Sequence, residues 1–165
     1  MTHMNLRKLT TQAYFEGLPA LVLSSLGGII AGLILGGIKA ELQAIPGLLV
    51  LVPALLAIRG NVYGSLGARS STGLHQGLIE QKISFSDHRI KAAVFASFIN
   101  ALFAAAIGAI FAYFLLTFLF EPVAPLGVLL SIALIAGIFS GIVLITAVIS
   151  VIFTAYRNGL NPDTI

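Results

Sequence analysis

Arg59, Gly60, Asn61, Gly64 and Ser65 fall within one short stretch, RGNVYGS, of a chain that is otherwise almost continuously apolar. Together they offer a guanidinium, an amide, a hydroxyl and two positions where no side chain covers the backbone. Amide, hydroxyl and peptide oxygens are neutral acceptors. Such a set suits a cation that keeps its water, and magnesium is the prime example because it dehydrates reluctantly and takes few direct ligands. No acid lies between Leu42 and Ile79, and Glu80 closes that window, so a cation held here would meet neutral oxygens. Asn61 is the candidate contact to the hydrated ion, with Gly60 and Gly64 presenting carbonyls and Ser65 its hydroxyl. Arg59 would repel the ion, so its head is expected to reach water or pair with an Asp or Glu.

Other chemistries find little support. The chain has no cysteine, which removes disulfides and thiolate metal sites. His3, His75 and His88 are too far apart for a zinc site. The serines have no base placed to activate one, so the sequence reads as a non-enzyme without a cofactor. Glu16, Glu41 and Glu121 read as interfacial or loop charges. The basic residues sit at the edges of apolar runs and not in a patch laced with aromatics, so nucleic acid is not an expected partner.

The elements that must position RGNVYGS are membrane helices. Of 165 residues, 58% are hydrophobic and 9% charged, against about 25% charged in soluble domains. Residues 17–38, 92–120 and 122–156 carry no charge and are each long enough to span a bilayer. Residues 42–58 form a shorter run holding Pro46, Gly47 and Pro53, read as a second, deformed span. Backbone may leave regular helix at membrane depth only beside protein or water, so residues 47–77 read either as a discontinuous helix lining a cavity or as a span that ends near Ile58 and continues as a loop. The opening residues 1–16 read as an interfacial segment, or alternatively as an extension of the first helix, before a membrane domain over 17–165.

Orientation follows the placement of Lys and Arg near span ends. One side receives Arg7, Lys8, Arg69, Lys82, Arg89, Lys91 and Arg157, the other only Lys39, with Arg59 unassigned. Both termini are therefore expected in the cytoplasm of a multi-pass plasma membrane protein. Gly28, Gly32 and Gly36 in the first span, and Gly137 and Gly141 in the fourth, recur every four residues as close-packing positions between helices. Ser24, Ser25, Thr146 and Ser150 either bond back to their own helix or line a path.

With these residues in place, LVPALLAIRGN, SLGARSST and the later GLNPD resemble the membrane domain of MgtE-type magnesium transporters, in the branch shared with eukaryotic solute-carrier relatives. Pro53, Gly60, Asn61, Ser65, Arg69, Ser71 and Thr72 fit that pattern, and the resemblance takes in nearly the whole chain. It implies an all-α integral membrane fold, a five-helix domain that works as a pair, with the ion route on the pseudo-twofold axis and Asn61 lining it. Two departures stand out. Tyr63 and Ser65 replace a Gly and a Gln usual in bacterial members, and the fifth helix, which carries the family's pore carboxylate, has no counterpart. Asn161, Pro162 and Asp163 form a helix-start signal close to the last residue, so the expected fold is a bundle of four transmembrane helices lacking the family's last, with a Pro/Gly-interrupted second helix. A truncated product, a split protein or a designed sequence would each account for that ending.

The expected function is divalent cation movement, magnesium first, through a dimeric axial pore in lipid, with a homodimer or a partner chain supplying the missing helix. The alternatives are a four-helix dimeric exporter of small organic cations, which would want a carboxylate deep in a span, and a non-transporting assembly subunit.

Overall fold

The structure is a computed structural model and describes residues 6–77, 88–119 and 121–157. Among them the helices, in chain order, are α1 Leu6–Gly37, α2 Lys39–Ala44, α3 Leu48–His75, α4 His88–Phe118 and α5 Leu126–Arg157. All but α2 contain a segment long and apolar enough to cross a membrane, namely Gly17–Gly37, Leu48–Leu74, His88–Phe118 and Leu126–Thr154. The protein is thus all-α and multi-pass, with the four expected spans among the described residues. His3, Glu80, Lys82 and residues 161–163 lie outside the described residues, as do the side chains of Arg7, Lys8, Glu16 and His75.

The interruption of the second apolar run lies at residues 45–47. There the chain turns between α2 and α3, with Gly47 in the left-handed region at φ 93°. Pro46 supplies its carbonyl to the Ala124 amide at 2.9 Å, which ties this turn to the α4–α5 connection. From Leu48 onward α3 is continuous to His75 with Pro53 inside it. Both readings of residues 47–77 are corrected here: from Leu48 the helix is not discontinuous, and it does not end near Ile58. Beyond Pro53 the glycines oppose the helix most, at about 1 kcal/mol each. Opening the helix would leave backbone groups unpaired in hydrocarbon at several kcal/mol each, which outweighs that cost. At the N-terminus α1 likewise runs unbroken from Leu6 through residue 16 into its span, the helical-extension arrangement.

α3, α4 and α5 pack against one another along their length. One end of their core gathers Leu51, Leu55, Ala105, Ala109, Leu129 and Ala133, and the other Leu74, Ile90, Ile149, Ile152 and Phe153. Tyr63, Leu66 and Ala101 join the two in the middle. Lipid gives helices no hydrophobic reason to associate, so close backbone approach must do so. The buried alanines 101, 105, 109 and 112 of α4 and the glycines of α5 provide it. A Cβ placed on Gly137 would come within 3.0 Å of Leu102, and one on Gly141 within 2.6 Å of the Tyr63 hydroxyl. α1 differs: among the described residues it touches α2 alone, and Gly28, Gly32 and Gly36 have nothing within 4 Å that a side chain would meet.

Candidate functional site

Because α3 is a continuous helix, residues four and seven apart share a face. Pro53, Ala57, Gly60, Asn61, Gly64, Ser65, Ala68 and Thr72 are all exposed and form one stripe that turns away from α4 and α5. Asn61 is the middle residue of the Leu48–Leu74 span. An amide therefore stands at the middle of that span on the outer surface of the bundle, flanked by small residues. The outward face of α4 is built differently, from Phe95, Phe103, Phe111, Phe114 and Phe118, all exposed and suited to acyl chains. The two surfaces call for different surroundings, hydrocarbon for α4 and protein or water for α3.

The four candidate contacts, Gly60, Asn61, Gly64 and Ser65, are brought together on that stripe. Their backbone stays helical, so each glycine carbonyl keeps its helix bond and has one lone pair left to offer outward. Pro53 has no N–H to give the Leu49 carbonyl, so that oxygen lacks its usual partner near one end of the same exposed face. Sequence reasoning missed the Leu49 oxygen and the framing Ala57 and Ala68. The signal was present in the spacing, but only for a helix assumed to be unbroken.

Arg59 lies on nearly the opposite side of α3 from Asn61, since two residues turn a helix by about 200°. It lines a groove of about 570 Å³ between α3 and α5 with Leu56, Phe139, Ser140, Val143 and Leu144, Gly60 forming the edge. Its charge thus points away from an ion at Asn61. Its Nη2 is buried with no hydrogen-bond partner, as are the hydroxyls of Tyr63 and Ser71. Ser140 is already engaged, donating to the Ala136 carbonyl at 2.6 Å. Thr146 likewise bonds back to Ile142 at 2.8 Å, the first of the two roles weighed for it.

Arg69 secures the end of the stripe. Its Nε donates to the Ser65 carbonyl at 3.2 Å and its Nη2 to Ser97 of α4 at 3.3 Å. Ser70, Ser71 and Ser97 are buried around that crossing. Among the described residues no three His, Asp or Glu side chains gather to hold a metal ion, so the oxygens available along α3 are neutral ones.

A family model, described as MgtE, divalent cation transporter, matches residues 52–165. The match takes in most of α3 and all of α4 and α5; α1 and α2 lie outside it, so it covers less of the chain than the motif resemblance implied. Comparison with curated proteins and with solved structures gives no match.

Proposed function

Because the chain belongs to the MgtE family of divalent cation transporters, we propose that magnesium is its principal ion and that ions cross along the outward stripe of α3, on the axis of a dimer. Divalent cation transport across a membrane is the activity of the family, and the protein is a transporter and not an enzyme. The observation that carries the finer reading is Asn61, an amide at the middle of a span, exposed on a face of small residues. Left against lipid tails, its donors and acceptors would go unpaired at a cost of several kcal/mol. A second copy of the stripe across a narrow aqueous route removes that cost. Asn61 and Ser65 then contact the water shell of the ion, while Gly60 and Gly64 keep the wall thin enough for a hydrated ion to pass and offer carbonyl lone pairs.

The charge distribution supports the orientation. Arg69, Arg89, Lys91 and Arg157 belong to the bundle end that gathers Leu74, Ile90 and Phe153, whereas Lys39, Glu41 and Glu121 belong to the other. The first end is placed in the cytoplasm with both termini, and the weak acidic rim opposite would draw cations toward the pore.

Flux into liposomes tests the reading. Magnesium entry is expected with the purified chain, and Asn61→Ala is expected to lower it by roughly tenfold, the effect of about 1.4 kcal/mol on a barrier. Thermal stability should stay near wild type, because Asn61 is exposed and makes no side-chain hydrogen bond among the described residues. Movement of an organic cation without magnesium would overturn the assignment, and unchanged magnesium flux in the variant would remove Asn61 from the route.

A further inference from the structure

Ser97 of α4 breaks a pattern. The buried row of that helix runs from Ile90 to Leu116 through four alanines, and Ser97 alone in it carries a polar side chain. At 1% exposure its hydroxyl is fixed inside the contact between α3 and α4. It accepts a hydrogen bond from Nη2 of Arg69 at 3.3 Å, while Nε of Arg69 donates to the Ser65 carbonyl at 3.2 Å. Both acceptors are neutral oxygens, so they fix where the guanidinium lies without cancelling its charge. Arginine suits such a bridge because its N–H groups form a rigid fork, one arm holding α3 and another reaching across to α4.

The backbone of Arg69 borders the outward stripe, since Ser65 and Thr72, four residues before it and three after, are exposed on that face. Its head turns the other way, toward the buried serine. Along the helix Arg69 stands about 6 Å past Ser65 and about 12 Å past Asn61, at 1.5 Å per residue. A side chain this long reaches across a helix face. Released from Ser97, the guanidinium would have the hydroxyls of Ser65 and Thr72 within its sweep. α3 has no acid to offset it there.

We propose that Ser97 is a positioning residue of the transport route: it holds the Arg69 guanidinium against α4 and so keeps a positive charge out of the end of the stripe. The inference rests on the reading of the α3 stripe as the ion route and adds to it a residue that lies on another helix and does not touch the ion. A wall of neutral oxygens is sensitive to one misplaced charge, because a divalent cation is repelled twice as strongly as a monovalent one.

Magnesium flux into liposomes tests it, with Asn61→Ala measured alongside. Ser97→Ala is expected to lower magnesium entry several-fold, with about tenfold as the ceiling set by a unit charge about 6 Å from a divalent ion in water. Its melting temperature should stay near wild type, because alanine already fills four positions of the same row. Adding Arg69→Gln to Ser97→Ala should restore most of the flux, since the displaced charge is gone. Raising ionic strength with an impermeant salt should also relieve the Ser97→Ala defect, by screening. A purely structural role for Ser97 would respond to neither. The salt arm needs no second substitution, so it decides the matter even where the double variant fails to fold. Unchanged flux in Ser97→Ala beside reduced flux in Asn61→Ala would overturn this proposal and leave the route standing. A Ser97→Ala defect that salt does not relieve would do the same. Unchanged flux in Asn61→Ala would remove the route, and this proposal with it.

Discussion

Tyr63 and Gly141 show how closely single residues are matched where α3 crosses α5. Tyr63 is 3% exposed, and a Cβ on Gly141 would stand 2.6 Å from its hydroxyl and 2.9 Å from the Phe98 ring. Gly141→Ala is therefore expected to destabilise the bundle by about 1–3 kcal/mol, the usual cost of overpacking. Tyr63→Phe removes a buried hydroxyl that has no partner and should leave stability unchanged or raised. The double variant should recover part of the loss, since one of the two close contacts is gone. Thermal unfolding of the four proteins in detergent checks this, and a double variant no better than Gly141→Ala would place the conflict at Phe98 alone. The sequence made the role of Gly141 legible, because spacing of four marks a packing face. It did not show that Tyr63, one of the departures from the family pattern, is what that glycine accommodates. Partners across helices are set by rotation and crossing angle, which a one-dimensional pattern does not contain. The same gap hid the direction of Arg59, whose residue type called for water or an acidic partner but did not show the side of α3 on which its head would lie.

At the scale of elements, α3 gains its continuity by concentrating the break upstream. Gly47 takes φ 93° in a tight setting, its would-be Cβ lying 3.0 Å from Leu116 and 3.3 Å from Val123. Gly77, beyond the other end of α3, has φ 66° and nothing within 4 Å. Alanine at either position meets backbone strain of about 1–2 kcal/mol, but only Gly47→Ala also displaces packed side chains. Gly47→Ala should thus lower the unfolding midpoint clearly more than Gly77→Ala, and equal effects would show that the turn at residues 45–47 is held loosely. Pro46 and Gly47 were readable in the sequence as an interruption because their backbone limits are intrinsic. Gly60 and Gly64 looked like breakers for the same reason, yet they remain helical. Their cost is small against that of unpairing backbone groups at membrane depth, a constraint set by the surroundings of α3 and not by its residue types. The stripe through Asn61 became readable only once that continuity was known.

For the whole molecule, the surfaces differ in what they can face. Among the described residues α1 has no contact with α3, α4 or α5, so it gives the Asn61 stripe no cover there. The α4 surface, with Phe103 67% exposed, suits lipid; the α3 surface, small and partly polar, suits a second protein surface across water. If the dimer axis runs along α3, cysteines introduced at Ala57 should link two copies in the membrane through an oxidant or a short bifunctional maleimide. A cysteine at Phe103 should remain monomeric under the same treatment. The chain has no native cysteine, so each introduced thiol is read without background. Linking at Phe103 but not at Ala57 would move the axis to the aromatic face and detach Asn61 from it. Linking at Ala57 whose yield falls when Asn61→Leu is added would tie the polar midpoint to assembly as well as to conduction. A branched apolar side chain there fills the route and removes the donors and acceptors that favour an aqueous axis over contact with lipid.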